Sequence, residues 1–211
     1  MAIKISLSET ESRLFCCSKW WGDPDMPADM PYPTATTEDG EEYPLTFICQ
    51  IDCADIAAFD PDGELPHEGM LYFFAALDEY LGFESSEHNG IGPWPKGRVV
   101  VKHTGHINLE TFESYIMVDD QDEPLALPAL KMEFSDCGDI DGGIRLLGLP
   151  SDGDVRKACP SLVNLLQIDS LDSHLSDDLQ FNDGGVFNIL ISPEHIKSAS
   201  WKRASGYLSS L

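Results

Sequence analysis

The chain has 211 residues, 42% of them hydrophobic and 24% charged, a balance that excludes disorder throughout and lets a core form without disulfide staples. Thirteen basic residues against 37 acidic ones leave a formal charge of −24. Such a surface repels phosphate backbones and anionic lipid, so neither nucleic acid nor a membrane is expected as a partner. In chain order, the weak alternation in AIKISL (2–7) predicts an edge strand, and SRLFCCS (12–18) is a second apolar segment. Residues 19–44 hold five prolines, and no regular element is expected there. LTFICQI (45–51) reads as a strand buried on both faces, and Asp52 as the N-cap of a short helix in DCADIAAF. GMLYFFAAL (69–77) is another buried strand, and RVVVKHT (98–104) is β-branched and strand-like. Between them, SSEHNGIGPWPKG (85–97) is a glycine- and proline-rich loop.

INLETFESYIMV (107–118) has mixed spacing and suits helix or strand, while Pro128 makes LALPALKMEF a bent or edge strand. IRLLGLP (144–150) is a short strand, and SDGDVRKACP a loop with room for one helical turn. LVNLLQI (162–168) and VFNILIS (186–192) are further buried strands. Ser192, Pro193 and Glu194 form a helix start. Short apolar strands dominate and long amphipathic helices are missing. The expected fold is α+β, predominantly β, with a few short helices in a single domain over 1–211.

Residues 45–52 and 162–169 share Leu, Gln, Ile and Asp at four of eight positions, offset by 117 residues. Each phrase is followed, 17 or 16 residues on, by a glycine and an apolar run, Gly69-MLYFF and Gly185-VFNIL. The order suggests internally duplicated strand-rich units, with halves at about 1–120 and 121–211. Gln50 and Gln167 can close open backbone groups where a strand leaves its sheet, and Asp52 and Asp169 can cap the first turn of the next segment. That account is structural. The alternative joins Gln50, Asp52, Gln167, Asp169 and Asp183 in one ligand site between the halves.

SKWWGDPDMP (18–27), PLTFICQIDCADI (44–56), LLGLPSDGD (146–154) and FNDGGVFNILISPEHI (181–196) together resemble the YwqG-like family, domain of unknown function 1963. Ser18, Lys19, Gly22, Pro24 and Pro27 match its opening pattern, and Trp21 replaces the first glycine of a Gly-Gly pair. The resemblance implies a mostly-β, internally duplicated, cytosolic bacterial domain without an established activity, found beside toxin and immunity loci in some genomes.

Catalytic signatures are missing. DCGDIDGG (136–143) fails as a calcium loop because a cysteine and a glycine fall on ligand positions. His103 and His106 lack an assigned third ligand, so no metal site is expected. The sequence has no Gly-x-Ser-x-Gly elbow and no phosphate-cradling loop. Glu9 and Glu11 occupy the place of an export signal's apolar run, and no stretch reaches spanning length. The six cysteines, none spaced Cys-x-x-Cys, then read as reduced thiols in a cytoplasm. Two loops carry aromatics, Trp20 and Trp21 in one and Trp94 in the other. Most are expected to be buried; exposed, they would anchor an interface. Together these features point to a non-enzymatic acidic module that binds a basic protein, immunity- or antitoxin-like, without a cofactor and with its oligomeric state open. A hydrolase or small-ligand domain is the alternative.

Overall fold

The computed structural model describes residues 1–36, 40, 42–77, 91–113, 128–172 and 184–210. Its strands are β1 (Ala2–Ser8), β2 (Lys19–Trp20), β3 (Asp25–Pro27), β4 (Thr34–Thr36), β5 (Glu42–Pro44), β6 (Thr46–Asp52), β7 (Met70–Ala75) and β8 (Gly92–Pro93). They continue as β9 (Val99–Thr104), β10 (Leu109–Thr111), β11 (Leu130–Cys137), β12 (Arg145–Leu147), β13 (Val163–Asp169), β14 (Gly185–Ile191) and β15 (Ser205–Ser210). Among the described residues three short α-helices join them: α1 (Cys53–Ile56), α2 (Gly153–Ala158) and α3 (Pro193–Lys197). The fold is strand-dominated α+β.

Among the described residues, eleven strands form one antiparallel sheet in the order β8-β15-β14-β13-β12-β1-β11-β2-β6-β7-β9. Two small ribbons, β10 with β3 and β4 with β5, stand apart from it. The sheet curls until its ends meet. Trp94, just past β8, donates to the carbonyl of Ala76, just past β7, at 3.0 Å. Trp201 approaches His103 of β9, with ring centroids 6.2 Å apart.

Period-two alternation assigns each face. In β7, Leu71, Phe73 and Ala75 enter the main core inside the curl, while Met70, Tyr72 and Phe74 enter a second cluster with Met26, Leu45 and Phe47. Burial on both faces explains why β6 and β7 read as unbroken apolar runs. Each fully buried ring or branched chain contributes about 1.5–3 kcal/mol.

Two expectations need correction. β1 is not an edge strand: it lies between β11 and β12, paired with both. Its alternation arises because Ile3, Ile5 and Leu7 face the core while Lys4, Ser6 and Ser8 face solvent. Alternation reports faces, not neighbours. Residues 19–44 do hold regular elements, β2 to β5, each two or three residues long. Their prolines fall at strand ends, Pro27 closing β3 and Pro44 closing β5, where a missing N–H costs little.

Candidate functional site

The Gln-Ile-Asp phrases end β6 and β13, and each forms the same kind of corner. β6 carries a bulge at Ile48 and β13 one at Leu165, two residues before each glutamine. Gln50 lies opposite Lys19 on β2, and Gln167 lies opposite Arg145 on β12. Each basic residue starts a Φ-Φ-Gly-x-Pro run, KWWGDP or RLLGLP. Both runs turn through left-handed backbone, at Trp21 and Gly22 (φ 55° and 70°) and at Leu147 and Gly148 (58° and 75°). The backbone of Trp21 thus adopts a conformation that glycine takes freely.

Beyond the turn, Asp25 N–H donates to Gln50 Oε1 at 2.7 Å, and Ser151 N–H donates to Gln167 Oε1 at 3.0 Å. Gln50 Nε2 donates to the Cys17 carbonyl at 2.9 Å. Gln167 Nε2 donates to the carbonyls of Asp141 (3.2 Å) and Gly143 (3.0 Å). Asp52 and Asp169 each accept from the N–H two residues on, Ala54 at 3.1 Å and Leu171 at 3.0 Å. Four strands separate β6 from β13, and each glutamine is spent on its own corner. Gln50, Asp52, Gln167 and Asp169 therefore line no shared cleft. Asp183, together with His88 and His174, lies outside the described residues.

The two corners differ in their charges. Arg145 is fully buried, and among the described residues its guanidinium donates to neutral acceptors: the carbonyls of Asp141 (2.7 Å), Leu147 (2.8 Å) and Leu149, and Gln167 Oε1 (3.0 Å). At the other corner, Lys19 Nζ sits 2.8 Å from Asp25 Oδ2, both side chains almost wholly buried. Oδ2 also accepts from Cys16 N–H and Gln50 Nε2, each at 2.9 Å, and Oδ1 accepts from Thr111 Oγ1 at 2.9 Å. Burial pushes the Asp25 pKa up. The bonds from Lys19 and Cys16, the lysine charge and the Gln50 amide outweigh it and hold the pKa below the usual carboxylate range. Beside this pair opens a groove of about 300 Å³, lined by Arg13, Phe15, Lys19, Asp25, Thr111 and Ala129 among others.

Trp20 (0% exposed) and Trp21 (6%) are core residues and offer no surface to a partner. Trp94 is half-buried, packed edge-on against Phe187. With Trp20 and Trp21 in the core and Trp94 packed on Phe187, the three do not form an exposed aromatic patch. His103 Nε2 meets the Glu68 carbonyl at 2.8 Å, whereas His106 Nε2 faces Asp52 Oδ1 at 3.4 Å, so the two rings serve different partners.

A second feature lies at the start of β1. The turn at 138–143 is tied to its neighbours: Gly143 N–H donates to Asp169 Oδ2 (3.0 Å), and Leu149 N–H to the Asp139 carbonyl (2.8 Å). These linked turns carry three large exposed apolar side chains, Ile140 (55%), Leu149 (40%) and Leu171 (65%). Asp139, Asp141, Asp169 and Asp172 stand among them.

The family model described as a domain of unknown function (DUF1963) matches residues 18–208. The chain belongs to the DUF1963 family. No curated protein matches it. The DUF1963 match begins at Ser18, one residue before Lys19, and so takes in both basic corners. Sequence reasoning reached the glutamines, met Lys19 only as part of the family's opening pattern, and missed Asp25 and Arg145. The signal was present in the shared spacing of KWWGDP and RLLGLP.

Proposed function

We propose that the protein is a non-enzymatic binding module whose acidic face docks a basic protein partner. One observation carries this reading: Ile140, Leu149 and Leu171 project from hydrogen-bonded turns dense in aspartate. Apolar anchors within a charged rim are the usual composition of an interface, and a net charge of −24 steers a cationic partner toward it. Neutralisation of a basic toxin, as an immunity protein or antitoxin, is the narrower form of this proposal. The setting proposed is a cytoplasm, since all six cysteines are free thiols and no described helix is long and apolar enough to cross a membrane.

The same reading takes the sheet as an internal duplication. The matched bulges, left-handed turns, glutamine corners and aspartate caps support it, as do the bonds from Cys53 N–H to the Gly69 carbonyl and from Ser170 N–H to the Gly185 carbonyl.

The test is recovery of partners by the immobilised protein and by an Ile140→Ser/Leu171→Ser variant, at low and high salt. A basic protein held at low salt, released at high salt and lost from the variant supports the reading. Equal recovery by both proteins, or no salt-sensitive partner, refutes it.

A further inference from the structure

We propose that the groove beside Lys19 and Asp25 binds a small organic carboxylate, its oxygens on the lysine and arginine and its apolar body against Phe15. The fold leaves hydrogen-bonding capacity of one kind unspent here. Asp25 faces the groove but has little left to offer, because its two oxygens already accept four hydrogen bonds. Lys19 is the reverse. Its ammonium has three N–H groups, and among the described residues only Asp25 accepts from it. The corresponding corner shows that folding does not require such a surplus. There Arg145 gives its donors to three carbonyls and a glutamine, and Ser151 stands where Asp25 would be.

Arg13 adds a second set of donors at the rim. Its guanidinium lies over the Phe15 ring, 5.5 Å from the centroid, which leaves the planar edge for a carboxylate. The capacity that Lys19 and Arg13 bring is of donor type, and a ligand that satisfies it must be an acceptor. Leu14, Phe15, Pro128 and Ala129 give the groove an apolar side, opposite a polar one that includes Thr10, Ser12 and Thr111. A bare inorganic anion would leave that half unused. Asp23 also lines the groove, so its formal charges cancel in a protein that is otherwise strongly acidic. Phe15 is 45% exposed at the mouth of the groove.

This site is independent of the acidic face. β1 runs from Ala2, beside the turn at 138–143, to Ser8, beside the groove, which puts the two about 20 Å apart. One can fail without the other.

The experiment is a titration of isotope-labelled protein with sodium benzoate at constant ionic strength, read by backbone amide shifts. Benzyl alcohol and inorganic phosphate serve as separate arms. Saturable shifts at Arg13, Cys16, Lys19 and Thr111 with millimolar benzoate, and weaker ones with either control, are expected. Arg13→Ala and Phe15→Ala alter only exposed side chains, and each should weaken benzoate by about tenfold, the scale of one charge-assisted hydrogen bond or one stacked ring. The proposal is overturned by shifts scattered over the surface, by benzyl alcohol or phosphate matching benzoate, or by unchanged affinity in both variants.

Discussion

Asp25→Asn isolates the charge of the buried pair while keeping its shape. The amide oxygen can still accept from Lys19, Cys16 and Gln50 if it takes the place of Oδ2, and Thr111 can rotate to accept at the other position. The change removes the negative charge opposite a lysine whose side chain is only 6% exposed. Breaking one side of a buried ion pair costs about 3–5 kcal/mol, because an uncompensated charge stays behind. Against a total stability of about 5–15 kcal/mol that is a large share. In a chain of this length each kcal/mol moves the melting midpoint by about 2–4 °C, so a fall of roughly 10 °C is expected. Urea titration should show a lower midpoint with the same slope. Adding Lys19→Met removes the stranded cation and should recover much of the loss.

The pH dependence follows the same pair. The folded pKa of Asp25 lies below its unfolded value, so the unfolded chain binds more protons as the medium is acidified. Its stabilisation is complete above the unfolded pKa of about 4 and disappears as pH falls through the lower folded value. The stability gap between wild type and Asp25→Asn should therefore close on acidification. A single substitution costing under about 1 kcal/mol, or a double variant no more stable than Asp25→Asn, would refute the ion-pair reasoning.

Gly148→Ala should destabilise by about 3 kcal/mol, since a left-handed residue (φ +75°) would also press its Cβ to 2.6 Å from the Asp139 carbonyl. Gly63→Ala meets nothing within 4 Å and should cost about 1 kcal/mol, from backbone conformation alone; paired thermal melts check both. Cys17 is exposed and should react first with a thiol reagent. Cys49, which burial pushes well above the ordinary thiol range, and Cys53, pushed by burial up to about 12, should react only after unfolding, as peptide mapping would show. Added salt should raise the melting midpoint by screening self-repulsion at a net charge of −24; a flat or falling response would count against that reasoning.

The buried strands were legible because β6, β7, β13 and β14 place apolar side chains on both faces, which leaves an unbroken run with turn residues at each end. Caps were legible for a related reason: Asp52 and Ser192 act within three residues of themselves. Strand order was not. The position of β1 depends on partners more than 120 residues away, and nothing in AIKISL records how many neighbours it has. Trp20 and Trp21 sit in a proline-rich stretch that reads as loop, yet β2 draws them into the core through just two paired residues.

The Lys19–Asp25 pair shows why a polar site is harder to read than a core. An apolar pattern repeats along an element and can be counted, whereas this pair depends on one left-handed turn at Trp21 and Gly22 folding six residues back on themselves. Arg145 and Ser151 are equally far apart in sequence and follow an equivalent turn, yet they form no ion pair. The glutamine therefore holds each turn in place, and the residue six beyond the basic one decides whether the corner carries a counter-ion. At one corner that residue is a carboxylate and the lysine keeps donors free beside a groove; at the other it is a serine and every observed arginine bond goes to a neutral oxygen of the fold. Exchanging that single position, Asp25→Ser against Ser151→Asp, should move the ion pair from one corner to the other while leaving both turns intact.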